Sequence, residues 1–259
     1  MTERPLAVVT GASAGIGREL SRVLAREGFD LVLVARREAQ LEELAEDLSS
    51  SYAATSTIAA VDLAESGAAD AVVAAAPRPI DVLVNNAGFG GLGRFAARSR
   101  ADDMRMVTVN VAALTDLTKL VLPTMVKRGR GRVLNVASTA AFQPGPFMAV
   151  YYASKAYVLS LSEALAEELS GTGVTVTCLC PGPTESEFHE IAGTDSQPLT
   201  SSALTMTAAA VAEAGFRAMM RGKMVEVPGL HNKIGAQSTR IAPRRVVLKI
   251  VRRLHPADD

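Results

Sequence analysis

The stretch that most constrains the fold is Thr10-Gly11-Ala12-Ser13-Ala14-Gly15-Ile16-Gly17, because of what flanks it. Before it runs Leu6-Ala7-Val8-Val9, apolar throughout, as a strand buried on both faces must be. After it, Leu20, Val23 and Leu24 recur at helical spacing up to a stop at Gly28. Strand, glycine turn and helix together form an anion site. Glycine lets the backbone come close to a phosphate, and the free N–H groups of the helix start point at it. A tight turn of three glycines with no ligand satisfies the same local pattern, so the rest of the chain has to decide.

The rest of the chain alternates. Apolar runs at Asp30–Ala35, Thr55–Val61, Ile80–Val84, Gly131–Ala137 and Val174–Leu179 read as strands. Between them lie helices around Gln40–Leu48, up to Ala76, over Ala101–Val126 and over Val150–Leu169. Alternation of this kind predicts an α/β fold: one doubly wound parallel sheet of about seven strands with helices on both faces. No repeat or linker divides the 259 residues, so a single domain is expected. Gly11 to Gly17, Arg36, Asp62, Asn85, Ser138 and Pro181 each fall just after a strand. The carboxyl ends of the strands are where such sheets bind ligands.

Composition excludes several other classes. Lys plus Arg equals Asp plus Glu, 27 each, so no overall field selects nucleic acid. The three His residues lack metal-ligand spacing, and no metal is expected. Cys178 and Cys180 alternate in an apolar strand and read as packing thiols. No signal segment is evident, and no apolar run looks long enough to cross a bilayer, so the expectation is a soluble cytoplasmic protein.

Taken together, Thr10-Gly-Ala-Ser-Ala-Gly-Ile-Gly17, Asp62-Leu63, Asn85-Asn-Ala-Gly88, Asn110, Ser138, Tyr151-Tyr-Ala-Ser-Lys155 and Pro181-Gly182 resemble the classical short-chain dehydrogenases/reductases, from Leu6 to about Gly229. The resemblance implies a Rossmann fold, a nicotinamide cofactor and a catalytic tetrad of Asn110, Ser138, Tyr151 and Lys155. It implies that Lys155 also holds the ribose and that Asn110 holds a proton-relaying water. It places Gly11, Ser13, Ala14, Gly15, Ile16, Gly17, Asp62, Leu63, Asn85, Ala87, Gly88, Pro181, Gly182 and Thr184 on the cofactor, with Asp62 taking the adenine amino group.

The residues themselves support the chemistry. Tyr151 and Lys155 are four apart on a helix and share a face. A nearby ammonium favours the phenolate and lowers the tyrosine pKa. Tyr151 then trades a proton with a carbonyl or alcohol oxygen that Ser138 also holds. Tyr152 is three residues from Lys155, but only Tyr151 fits the family pattern. Cofactor choice rests on Arg36 and Arg37. A 2′-hydroxyl usually meets an acid at the end of the second strand, whereas a 2′-phosphate needs a cation there, so NADP(H) is expected over NAD(H). Ser13 is a further candidate for that phosphate.

Phe89, Phe142, Phe147, Met148 and Phe188 are candidates for an apolar substrate pocket, and residues 184–207 for a lid. Met206 to Met220 reads as a helix and Met224 to Val227 as a last strand. The segment 240–254 then reads as a basic amphipathic helix. Val247, Leu248, Val251 and Leu254 form one face, and Arg245, Lys249, Arg252 and Arg253 the other. It suits an anionic membrane surface or packing on protein with a solvated basic face, the second being favoured. The two long helices, with a stripe at Val158, Leu161, Leu165 and Leu169, imply by resemblance a homo-dimer or homo-tetramer. The leading expectation is an NADPH-dependent reductase of an apolar ketone: a 3-oxoacyl, steroid-like or xenobiotic one. The alternatives are an alcohol dehydrogenase running toward oxidation and a nucleotide-bound regulator without turnover.

Overall fold

A computed structural model describes residues 3–185, 187–188, 192–193, 205–239 and 241–254. The first half alternates β1 (Leu6–Thr10), α1 (Gly15–Arg26), β2 (Asp30–Ala35), α2 (Glu38–Tyr52), β3 (Ser56–Ala60), α3 (Ala68–Ala74) and β4 (Val82–Asn85). There follow α4 (Arg100–Val107), a π-helical turn (Thr108–Ala113), α5 (Leu114–Arg128), β5 (Gly131–Val136), α6 (Ala149–Glu168) and β6 (Val174–Leu179). The two-residue strands β7 (Thr184–Glu185) and β8 (Met206–Thr207) lead to α7 (Ala208–Met220), β9 (Val225–Glu226), α8 (Leu230–Ser238) and α9 (Arg244–Leu254).

The strands form a seven-stranded sheet ordered β3-β2-β1-β4-β5-β6-β9, with every pairing parallel. One apolar layer lies on each face. Leu20, Leu24, Leu41 and Phe216 pack on one side of β1, and Val72, Leu117, Val121 and Met125 on the other. This double burial is why the strands read as unbroken apolar runs. The order reverses between β1 and β4, which opens a crevice at their carboxyl ends. Thr10 ties the two strands together at that point. Its hydroxyl donates to the Val84 carbonyl at 3.2 Å and accepts from the Asn86 and Ala87 amides at 3.0 Å.

Several expectations are corrected. The helical run Arg100–Arg128 is long and apolar enough, by length and composition, to cross a bilayer, yet Leu117, Val121 and Met125 are spent on the core. The stripe suggested for subunit pairing also faces inward. Val158 is buried beside Leu114, and Leu161, Leu165 and Leu169 pack on the core. Met206 and Thr207 pair with β7, so the helix starts at Ala208, capped by the Thr207 hydroxyl, which accepts from the Ala210 amide. Of the proposed lid at 184–207, residues 186, 189–191 and 194–204 lie outside the described residues. The basic helix begins at Arg244, and Arg240 lies outside the described residues. It packs on its own protein through Val247 and Val251, whereas Leu248 is 38% exposed.

Candidate active site

The crevice is a cavity of about 580 Å³. One end is lined by the glycine turn, Arg36, Arg37, Asp62 and Leu63, and the other by Ser138, Tyr151, Lys155, Phe188 and Thr184. The fold thus brings together residues far apart in sequence.

At the anion end, Gly11 has φ +68°, a backbone region that favours glycine. Helix α1 starts at Gly15 with no side-chain cap and no acid in its first turn, leaving its leading amides for a ligand. Gly17 is not part of the wall; it lies beneath the turn. A Cβ on Gly17 would come 2.2 Å from the Gly11 carbonyl oxygen and 2.4 Å from Asn86 Nδ2. Gly17→Ala is therefore expected to cost about 1–3 kcal/mol, as overpacking does where backbone must move. Thermal unfolding would measure it, and a melting temperature equal to wild type would refute the packing role. Asn86 braces the same turn, its Nδ2 donating to the Thr10 and Gly11 carbonyls at 2.9 and 3.2 Å.

Asn85, expected on the nucleotide, is instead buried in the sheet. Its amide donates to Thr118 Oγ1 at 3.0 Å and Asn135 Oδ1 at 2.9 Å. Asn86, Ala87 and Gly88 line the cavity in its place. Asp62 lines the cavity but is already engaged. It accepts from the Ala64 amide at 3.0 Å and pairs with Arg105. Burial alone would raise the Asp62 carboxyl, but Ala64, Arg105 and Arg36 outweigh it and hold the group below its ordinary value. Arg37 is shared between Ser13 Oγ at 3.2 Å and Glu187 at 2.8 Å. Arg36 makes no hydrogen bond or ion pair among the described residues and lines the cavity. A cation left over beside an uncapped helix start fits a phosphate-bearing dinucleotide.

At the other end, Tyr151 lies in the first turn of α6, one turn ahead of Lys155. Ser138 is near enough to lower the pKa of the Tyr151 hydroxyl, and both side chains line the cavity. Ser138 caps the short turn Thr139–Phe142, its Oγ accepting from the Ala140 amide at 3.1 Å, which fixes the hydroxyl in place. Burial pushes the Tyr151 hydroxyl up to about 12, against the lowering effect of Ser138. The expected lowering by Lys155 is absent. The Lys155 ammonium lies 5.8 Å from the Tyr151 ring centre and donates to the Val136 carbonyl at 2.9 Å. Burial pulls Lys155 down to about 8, against an opposing effect of the Cys178 and Cys180 sulfurs.

That shift has a consequence for stability. Between about 8 and 10.5 the unfolded chain holds the lysine proton more firmly than the folded one, so stability rises with pH across this window. The slope is expected to reach at most about 1.4 kcal/mol per pH unit. Urea unfolding at pH 8 and 10 should show the rise in wild type and lose it in Lys155→Met. Equal slopes in both proteins would refute the burial of a charged lysine.

Asn110 sits in the π-helical turn, 2% exposed. Its amide donates to the Phe89 carbonyl and to Ser154 Oγ, both at 3.0 Å, and its Oδ1 accepts from the Phe89 amide at 3.1 Å. The side chain thus helps to position α6 and the Phe89 loop, with one lone pair of Oδ1 beyond these bonds. Of the aromatic candidates, Phe89, Met148 and Phe188 line the cavity, with the Phe188 ring 5.2 Å from that of Tyr151. Phe142 instead packs with Leu159 and Cys178, and the Phe147 ring faces Arg94 and Arg252. Arg105, Gln143 and Leu254 line the cavity and were not anticipated.

The family model for short chain dehydrogenase matches residues 5–196. The chain belongs to the short-chain dehydrogenase family. It is 39% identical over 187 residues to a short chain dehydrogenase of Pseudocercospora fijiensis, covering 70% of this chain and 60% of that one. It is 37% identical over 178 residues to a ketoacyl reductase of Nostoc, covering 68% and 62%. The chain thus spans about 60% of the length of these two curated relatives. A solved short-chain dehydrogenase of Sphingobium yanoikuyae, in complex with NADPH, superposes with TM-score 0.83 at 33% identity, covering 98% of this chain and 99% of that one. In this short-chain dehydrogenase Tyr151, Lys155 and Ser138 all line one cavity with the glycine turn.

Proposed function

We propose that this chain is an NADPH-dependent oxidoreductase that reduces an apolar ketone to an alcohol. The observation that carries the reading is the Tyr151 hydroxyl, set beside Ser138 in a cavity that also bears Arg36, which makes no hydrogen bond or ion pair among the described residues. When bound, the nicotinamide supplies the hydride. Ser138 and Tyr151 hold the carbonyl oxygen by hydrogen bonds, and Tyr151 gives up its proton as that oxygen gains negative charge. A hydroxyl whose pKa is raised to about 12 holds its proton at neutral pH and can act there as the acid that a reduction needs. Lys155 lines the same cavity, its ammonium 5.8 Å from the Tyr151 ring centre and held by the Val136 carbonyl. A regulator without turnover has no need of this cluster.

Phe89, Met148 and Phe188 support an apolar substrate, and the ketoacyl reductase relative supports a 3-oxoacyl chain among such substrates. A panel of 3-oxoacyl, steroid and simple ketones with NADPH or NADH, followed at the cofactor's absorbance, tests the reading. No turnover on any member would overturn it. A homo-dimer or homo-tetramer is part of the same proposal. The outward face of α6, with Ala153, Ala156, Ser160 and Ala164 exposed, allows a close helix approach between subunits. A monomer mass in light scattering would remove that part.

A further inference from the structure

We propose that α9 is the outer wall of the substrate pocket and that Leu254, at its end, sets how bulky an apolar substrate the site accepts. The proposal rests on the ketone-reductase reading. Helix α9 adds no strand to the sheet, yet it reaches the catalytic cleft. Val247 and Val251 are buried in the cluster that holds Met148, Tyr151 and Tyr152, and Leu254 lines the cavity itself. These three residues lie at i, i+4 and i+7, so one stripe of the helix faces the site over its whole length.

The helix is also held from the side. The Arg252 guanidinium lies 5.8 Å from the Phe147 ring centre, and Arg94 lies 5.9 Å from the same ring. The Phe147 carbonyl in turn accepts from the Gly93 amide at 2.8 Å. Phe147 thus links the helix to both loops that border the cavity. The basic residues Arg245, Lys249 and Arg253 are exposed, so only the apolar stripe concerns the pocket. A leucine neither donates nor accepts a hydrogen bond, so it selects by volume. In an apolar pocket one misplaced methylene costs about tenfold or more in kcat/KM. The catalytic hydroxyls come from β5 and α6, the wall from a segment beyond the matched residues 5–196. Leu254 thus adds to the walls at Phe89, Met148 and Phe188 a side chain from outside the matched segment.

The test uses the full chain and a series of 2-alkanones of rising length. Two quantities are measured: kcat/KM with NADPH, and equilibrium binding of the same ketones to protein loaded with NADP+ by calorimetry. Leu254→Ala is expected to raise the ratio of longest to shortest ketone at least about tenfold in kcat/KM, and Leu254→Trp to lower it by as much. Opposite shifts from the two variants cannot come from general damage. Profiles parallel to wild type, or a uniform loss along the series, would overturn the proposal. Binding profiles that shift without turnover would uphold the wall and refute the reductase reading. A wild-type protein that neither binds nor reduces any member would overturn both.

Discussion

Tyr151→Phe is expected to lower kcat/KM for ketone reduction by about 10²–10⁴-fold, the range that a positioned general acid supplies. The substitution removes one oxygen and leaves the ring, which packs at 6.0 Å against Tyr152 and at 5.2 Å against Phe188. The fold and the cavity walls should survive it. The glycine turn, Arg36 and Asp62 are at the far end of the cavity, so NADPH affinity, measured by fluorescence titration, should stay close to wild type. The pH dependence carries a second sign. With the hydroxyl held up to about 12, the acid stays protonated across pH 6–9, and reduction should not fall in that window for want of a proton on Tyr151. Oxidation of the alcohol needs the deprotonated form and should climb with pH. Full activity in Tyr151→Phe would remove the acid, and with it the proposed function.

Much of this site could be read from the chain because its parts sit at strand ends, where an apolar run stops and a polar or glycine residue follows. Gly11, Ser138 and Pro181 are of this kind. So is the sheet, since six apolar runs separated by helices leave little but a parallel order. What failed did so for definite reasons. Asn85 and Asn86 are neighbours at the end of β4, and successive side chains of a strand point to opposite sides, so the sequence alone does not say which one meets the cavity. The π-helical turn at Thr108–Ala113 adds a residue per turn that a 3.6-residue pattern does not reveal. Arg105 reaches Asp62 across 43 positions, and no local pattern announces such a pair. Helix α8 was missed because its apolar residues point outward: Leu230 is 74% and Ile234 62% exposed, while Asn232 and Ala236 are buried. The amphipathic pattern of α9 was visible, but a stripe does not name the surface it covers.

Cofactor preference gives the other large expected effect. Arg36→Asp should invert it, lowering the NADPH-to-NADH ratio of kcat/KM by at least about a hundredfold. Losing a hydrogen bond between charged groups costs about 1.5–3 kcal/mol, roughly 10- to 150-fold. A new carboxylate adds repulsion against a 2′-phosphate and accepts from a 2′-hydroxyl, so the two cofactors move in opposite directions. Arg37→Ala should do less, because Arg37 already divides its donors between Ser13 and Glu187, and a phosphate would have to compete for them. Arg105 is paired with Asp62 and stands in the same position. Arg36 is therefore expected to carry the selection, being the one of these three cations with no hydrogen bond or ion pair among the described residues. Steady-state kinetics of wild type, Arg36→Asp and Arg37→Ala with both cofactors would decide it. An unchanged ratio in Arg36→Asp would place the phosphate site elsewhere in the crevice.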